Sequence, residues 1–514
     1  MKRIALWMLV LLAIRGAARA QDPIDVGSRR ELFVEDTLIE KLAGGAELRL
    51  NHPVPQEIAL EHNAPWEGTG SGYHSVFRDG DKYRLYYKAW HLDVSSEGKL
   101  KSDAHPLFCC YAESDDGIHW RKPELGLVEF QGSKANNICI ASGMIGKAQT
   151  DAGHPAVFKD ENPDCPPDAR YKAVLRSSGP RGLLAFKSPD GIHWSPMSDK
   201  PVITEGAFDS QNLAFWDPVR REYRAYWRIF TSGTTTEKVW KPSGVRAIRT
   251  ATSPDFLNWG PHADLTYVDS PPEHLYTNQV KAYYRAPHIF IGFPTRYVER
   301  GWSDSMRALP ELEHRELRAK ASLRYGTALT EGLLMASRDG VHFKRWNEAF
   351  LRPGIQREGT WHYGHQYIAW HVVETKSALE GAPNELSLYA GESYWTGNSS
   401  ALRRYTLRID GFVSAWAPFA GGELVTKPLV FAGKKLTLNF STSAAGDVRV
   451  ELQQPDGQPI PGFSLDDCQE VFGDELERTV TWKGGSDVGK LAGQPVRLRF
   501  ALRDADLYAF QFVP

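Results

Sequence analysis

The sequence predicts an all-β protein: a five-bladed β-propeller followed by a small C-terminal β-sandwich. Three observations carry that prediction. First, the phrase Ser114-Asp115-Asp116-Gly117-Ile118-His119-Trp120 returns as Ser188-Pro189-Asp190-Gly191-Ile192-His193-Trp194. Variants stand at Ser253-Pro254-Asp255-Phe256-Leu257-Asn258-Trp259 and Ser337-Arg338-Asp339-Gly340-Val341-His342-Phe343, and a degraded copy runs from Arg408 to Trp416. Second, the copies start 65 to 84 residues apart, longer than a helical solenoid repeat and suited to one blade with generous loops. Third, after Trp416 the register changes to short strand-like runs about ten to fifteen residues apart, the spacing of a small sandwich.

Asp-Gly between apolar runs is a hairpin signal, because glycine takes the positive φ of a tight turn. The aromatic residue three places after the glycine is expected to pack between neighbouring blades. Ahead of each phrase lies a third strand: Leu107–Ala112, Leu183–Lys187, Val245–Thr250 and Leu333–Ala336. Two earlier runs precede each of these, Gly72–Arg78 with Tyr83–Trp90, His154–Lys159 with Tyr171–Arg176, Gln211–Trp216 with Tyr223–Ile229, and Asn278–Tyr284 with His288–Thr295. The fifth unit has Gln366–Val373, Leu386–Ala390 and Leu402–Leu407. Residues 21–417 are thus expected to form the propeller. Its leading segment, 21–62, offers Glu31-Leu32-Phe33-Val34 as a strand closing the ring. Trp302–Lys320 reads as a helical insertion in blade four, either a lid or a solvated surface helix. Residues 418–514 are expected to form the sandwich. A long β-sandwich with coincidental Asp-Gly turns is the competing architecture.

Met1–Ala20 has the features of a cleavable export signal: Lys2-Arg3, the apolar run Ile4–Ile14, and Ala18-Arg19-Ala20 before Gln21. Its apolar run is too short to span a bilayer comfortably. The mature chain is therefore expected outside the cytoplasm, secreted or periplasmic. A net charge of −2 in 514 residues draws the protein neither to nucleic acid nor to anionic membrane. The load of 16 Trp, 20 Tyr and 23 Phe favours strands and supplies sugar-stacking surfaces. Cys109, Cys110, Cys139, Cys165 and Cys468 show no metal-type spacing, and one disulfide among the first four is expected in an exported chain. Cys109 and Cys110 should face opposite sides of their strand.

The combination of export signal, propeller and sandwich resembles the five-bladed β-propeller glycoside hydrolases, the invertase/levanase-like and arabinanase-like families. The phrase Ser-x-Asp-Gly-Ile-His-Trp followed by Lys122-Pro123 looks like a blade signature of invertase-like proteins. It is similar to the Asp-box of sialidases but lacks that motif's extra residue between Asp and Gly. The chain departs from the invertase-like pattern in having no Asn-Asp-Pro-Asn, Arg-Asp-Pro or Glu-Cys motif; the nearest triplet is Trp216-Asp217-Pro218. The resemblance therefore implies the fold and the place of the site, in a divergent member without the usual nucleophile motif. It also implies a carbohydrate substrate. Arabinanase-like enzymes often hold an axial calcium ion or water cluster, which His74, His154 or His365 would line. No His/Asp spacing here demands a metal, and no cofactor is expected.

In a propeller the first strands converge at one mouth, so residues at their heads are gathered from distant parts of the chain. Glycoside cleavage needs two carboxyl groups, one donating a proton to the leaving oxygen and one acting as nucleophile or base. Asp209, in Phe208-Asp209-Ser210-Gln211-Asn212, is the leading candidate, with Asp151 or Glu67 as its partner. Against each stands a plainer role, such as a turn aspartate capping its own backbone. His74, His154, Asn212, Asn278, Tyr363 and His365 are candidate sugar contacts, and Arg296 a candidate anion contact. Asp116, Asp190, Asp255, Asp339 and Asp410 repeat with the turn and are expected to be structural. The expected function is secreted glycoside hydrolysis of a poly- or oligosaccharide; a non-catalytic carbohydrate-binding propeller is the alternative, and a glycoside phosphorylase a third.

Overall fold

The structure is a computed structural model that describes residues 22–514, so the export signal expected over residues 1–20 lies outside it. The described chain is nearly all β. Five sheets follow in chain order. The first holds Gly72–Asp79, Lys82–Ala89, Phe108–Ser114 and Ile138–Ala141. The second holds Gly143–Ile145, Ala148–Lys159, Tyr171–Ser178, Arg181–Ser188 and Ser195–Pro196. The third contains the long hairpin of Glu222–Thr235 and Trp240–Ser253, flanked by Leu213–Asp217 and Ala263–Asp264. The fourth contains Lys281–Tyr283, Ala286–Gly292, Met335–Ser337 and His342–Arg345, with Thr266–Val268 added in parallel at its edge. The fifth contains Val373–Thr375, Glu385–Glu392 and Ala401–Leu407, and takes its last strand, Val54–Glu61, from the start of the chain.

Hydrogen bonds between the first strands run in a closed circuit. Val157 N donates to Ser75 Oγ at 3.2 Å, joining sheets two and one. Gln211 Nε2 donates to Pro155 O at 3.0 Å and Tyr73 O at 3.1 Å, joining three to two and one. Gln279 Nε2 donates to Gln211 Oε1 at 2.7 Å and to Ile368 O at 2.9 Å, joining four to three and five. Val76 N donates to Trp370 O at 3.0 Å and closes five onto one. Both glutamines are almost wholly buried.

Each repeated phrase is a self-capping turn. Asp116 Oδ1 accepts from the backbone N of Ile118 and His119, Oδ2 pairs with His119 Nδ1, and Ser114 Oγ accepts from Gly117 N. Asp190 and Asp339 repeat this set. Gly117, Gly191 and Gly340 have φ between +74° and +81°; in the third copy Phe256 takes φ +70° in their place. A tyrosine of the preceding sheet donates to the turn glycine's carbonyl: Tyr86 to Gly191, Tyr226 to Gly340 and Tyr389 to Gly117. The aromatic residue of the phrase packs edge-on to that same tyrosine, as Trp194 does on Tyr86 at 6.3 Å and Trp120 on Tyr389 at 5.8 Å. The turn thus joins neighbouring sheets, which explains why it repeats. Asp410, in the degraded copy, differs: it is fully buried and accepts from Arg30, Arg285, Tyr283 and Asn439.

Several connections differ from the sequence expectation. Arg30–Leu32 pairs with the final strand at Ala509–Gln511 rather than with the fifth sheet, and Val54–Glu61 makes the closing contact instead. Ile24–Gly27, Ile39–Ala43 and Glu47–Leu50 likewise pair with strands after residue 412. Lys435–Gln453 and Arg497–Val513 are each one continuous strand. The pairing register of the first shifts between Thr442 and Asp447 without breaking the strand. Their apolar faces bury Leu438, Phe440, Val450, Phe500 and Phe510 in one core. All five cysteines are free; Cys109 and Cys139 approach to 3.6 Å without bonding, and no disulfide forms. Cys109 and Cys110 enter different cores, as alternation along a strand requires.

Replacing Gln279 by Leu leaves Gln211 Oε1 and Ile368 O without their donor in a dry interior. We expect a loss of about 3 kcal/mol, measured by urea unfolding, whereas Gln279→Glu at high pH should cost more by burying a charge.

Candidate functional site

At the mouth where the first strands begin, side chains from all five sheets meet. Tyr73 opens the first strand, His154 and Asp151 lie on the second sheet, Asp209 precedes the third, Tyr276 precedes the fourth, and Tyr363 and Tyr367 precede the fifth. Tyr73, Gln279 and Gln366 all take left-handed conformations, with φ of +52°, +49° and +63°. Non-glycine residues rarely do so, and the cost is sustained by the hydrogen bonds around them. The tyrosines form a continuous floor: Tyr73 stacks on Tyr367 at 6.2 Å, Tyr367 lies 5.5 Å from Tyr276 and 6.2 Å from Tyr394, and the Tyr363 hydroxyl donates to that of Tyr276 at 3.0 Å. Gly364 (φ +86°) passes beneath Tyr394, where a Cβ would collide with the ring.

The helical insertion, Leu312–Ala321 with Leu323–Thr327, packs beside this floor. Arg315 and Arg318 are fully buried and donate to carbonyls of Thr360, Trp361 and Trp395. Tyr325 packs on Trp395 at 4.7 Å. It is a docked cap rather than a solvated helix. Burial lowers Arg318 to about 9, since no carboxylate contacts it directly.

The two aspartates at this mouth are each matched to an arginine. Asp151 Oδ2 lies 3.2 Å from Arg176 and 3.2 Å from His154 Nδ1, the latter off the line a hydrogen bond needs. Burial alone would raise the Asp151 pKa, but His154 and Arg176 outweigh it and hold the carboxyl well below its usual range. Asp209 is about half exposed at the rim and pairs with Arg228, whose guanidinium sits 4.8 Å over the Tyr276 ring. Burial would raise the Tyr276 pKa, but Arg228, the Tyr363 hydroxyl and Arg246 together lower it.

The other sequence candidates fall elsewhere. Glu67 has no exposed side-chain surface: its carboxylate is taken by Lys122 at 2.6 Å, by the Tyr87 hydroxyl and by Ala64 N. It shares no contact with Asp151 or Asp209. His74 is buried against His62, Nε2 to Nε2 at 3.0 Å. Asn212 spends its amide on Phe208 O, Ser210 O and Arg228 N, and Asn278 on Tyr226 O and Val280 N. His365 accepts from Trp361 N inside its own loop, and burial lowers it to about 3. Arg296 is held by Glu331 at 2.6 Å and Glu273 at 3.3 Å. His74, His154 and His365 therefore do not converge on the axis, which Gln211 and Gln279 fill. Among the described residues no group of three or more His, Cys, Asp or Glu side chains gathers for a metal ion.

Sequence reasoning missed Lys88, Arg228, Arg246, Arg324, Tyr367 and Tyr394. Lys88 is 3% exposed, and its amine makes no hydrogen bond among the described residues and lies 4.5 Å from the Tyr73 ring, 4.9 Å from Trp90 and 5.5 Å from Tyr394. Burial lowers it from the ordinary 10.5 to about 7, partly opposed by Asp151. The other mouth of the ring holds a cavity of ≈ 310 Å³ where Phe77, Phe158, Phe293 and Phe412 alternate with charged groups of both signs, Arg78, Lys159 and Lys281 beside Glu161 and Glu374.

No family model and no curated protein matches the chain. Solved structures similar to it include several glycoside hydrolases and an N-acetylgalactosamine deacetylase from F. plautii. One titled simply glycoside hydrolase is 13% identical, covers 69% of this chain and 92% of its own, and has a TM-score of 0.41. A thermostable family-43 glycoside hydrolase is 12% identical over 67% and 92%, at 0.41. The catalytic domain of the Coprinopsis cinerea GH62 α-L-arabinofuranosidase is 9% identical over 70% and 99%, at 0.40.

Because the folded pKa of Lys88 lies below its unfolded value, the unfolded chain binds the extra proton between about 7 and 10.5. The cost to stability is complete below pH 7 and fades as pH rises toward 10.5. Lys88→Met should therefore raise stability at pH 6 by on the order of 2 kcal/mol; a calorimetric melt that shows a loss instead would contradict the reading of this amine.

Proposed function

We propose that the five sheets are the blades of a propeller, that the strands after residue 412 with those of the leading segment form a sandwich against it, and that the chain is an exported glycoside hydrolase. The observation that supports this reading is the pairing, at one mouth, of two carboxylates from different sheets with an aromatic floor. Aromatic rings stack on the apolar faces of sugars, and acids at the rim reach the glycosidic oxygen. Asp151, kept ionised by His154 and Arg176, serves as base or nucleophile. Asp209, the more exposed of the two, stands on the leaving-group side. Glu67 takes no part, since its carboxylate is sealed behind Lys122 and Tyr87. The reaction is proposed to need no cofactor, and the substrate is a poly- or oligosaccharide.

One observation favours a second reading, a carbohydrate-binding propeller without activity. Both aspartates already face a guanidinium group, an arrangement that opposes protonation of a carboxyl as general acid. The experiment is hydrolysis by the mature chain over a panel of polysaccharides and aryl glycosides, with Asp209→Asn and Asp151→Asn alongside. The hydrolase reading expects product release that falls by 10²-fold or more, on the order of 3 kcal/mol of transition-state stabilisation, in both variants. Binding without release on any substrate would establish the second reading. Release unchanged in both variants would move the chemistry away from this mouth.

A further inference from the structure

The charge at this mouth is unbalanced. Asp151 is matched by Arg176 and Asp209 by Arg228. Three further cations have no carboxylate within ion-pair distance among the described residues, yet each lies against a different part of the aromatic cluster around this mouth. Lys88 sits between Tyr73, Trp90 and Tyr394. Arg246 lies 4.7 Å from the Tyr297 ring and 5.2 Å from Tyr276, and its one side-chain hydrogen-bond partner is His274 Nδ1 at 3.3 Å. Arg324 lies 4.8 Å over Tyr325, with the Tyr325 hydroxyl as its contact at 3.3 Å. Lys88 is nine-tenths buried or more and Arg246 Nε is buried without a partner. A protein keeps unpaired buried cations at a cost in desolvation.

A neutral sugar laid on this floor would desolvate the three cations further and compensate none of them. A sugar carrying a carboxylate or a sulfate would supply the missing countercharge, in a low-dielectric setting where such pairing is strongest. We propose that the substrate of this site is an acidic carbohydrate, whose anionic groups are bound by Lys88 on the Tyr73–Tyr394 side and by Arg246 and Arg324 on the Tyr276–Tyr297 side. This rests on the reading of the mouth as the carbohydrate site and names its substrate class. The groups facing the Lys88 amine are Tyr73 and Tyr394, with Trp90 beside them and Asp151, His154 and His74 acting at longer range. An anion bound there holds the amine protonated, so affinity should decline as pH rises through 7 and beyond.

The test is titration calorimetry of the mature chain with three tetrasaccharide probes: tetragalacturonate, a sulfated galactan tetrasaccharide and neutral galactotetraose. Reducing-end release is scored in the same samples. The proposal expects at least one acidic probe to bind about ten-fold or more tightly than the neutral one, with affinity weakened by salt. Lys88→Met and Arg246→Met should remove that preference, while Arg246→Lys, retaining the charge, keeps part of it. Preference for tetragalacturonate would assign the anion as a carboxylate, and preference for the galactan as a sulfate. Equal or tighter binding of galactotetraose, acidic binding unaltered in both Met variants, or no acidic binding at all would overturn it. Cleavage of the neutral probe without affinity for either acidic one would overturn this inference and leave the hydrolase standing. Tight acidic binding without cleavage would support the inference and count against the hydrolase.

Discussion

The structure depends on the amide hydrogen bonds of Gln211 and Gln279. Two side chains with no charge link the first strands of five sheets, and they do so where each strand would otherwise present unpaired backbone carbonyls to a dry axis. Gln211 Nε2 lies within 3.3 Å of Tyr73 O, His74 O, Ser75 Oγ and Pro155 O. Gln279 then bridges Gln211 to Ile368 O. A carboxamide suits this place because it donates and accepts without the desolvation cost of an ion. The outer circuit repeats the principle through turn glycine carbonyls and tyrosine hydroxyls. Both circuits tie neighbouring sheets, so the position of every strand head follows from them.

The candidate site is a consequence of that closure. Filling the axis with amides leaves the tyrosines above it as a floor rather than the walls of a channel, and left-handed backbone at Tyr73 and Gln366 turns the chain across it. The docked insertion with buried Arg315 and Arg318 fixes one side. Electrostatics then distinguish this mouth from the opposite one. Here two aspartates are matched by arginines and three cations are left over, whereas at the far cavity Lys281 faces Glu161 and Lys159 faces Asp79.

Much of the architecture was legible because its signals are local. The Ser-x-Asp-Gly phrase contains its own cap, so its role can be read from seven consecutive residues, and the apolar runs before it mark strands directly. Tyr363, Asp151 and Asp209 were visible for a similar reason, each standing at or near the head of an apolar first strand. Lys88 and Arg246 were not, because they sit within second and third strands whose pattern reads as ordinary alternation. Glu67 was misplaced because its partner, Lys122, lies 55 residues away and becomes a neighbour only on folding. The same limit applies to Arg30–Leu32 and Val54–Glu61: both are strand-like, and only the folded sheets decide which edge each one joins.

The most direct measurement is a crystal structure of the mature chain grown with an acidic tetrasaccharide, the position of the sugar being the observable. This account predicts sugar rings over Tyr276, Tyr367 and Tyr394, with anionic groups within hydrogen-bond distance of Lys88 or Arg246 and the glycosidic oxygen between Asp151 and Asp209. Density for the sugar in the cavity at the opposite mouth, with the tyrosine floor empty, would contradict it.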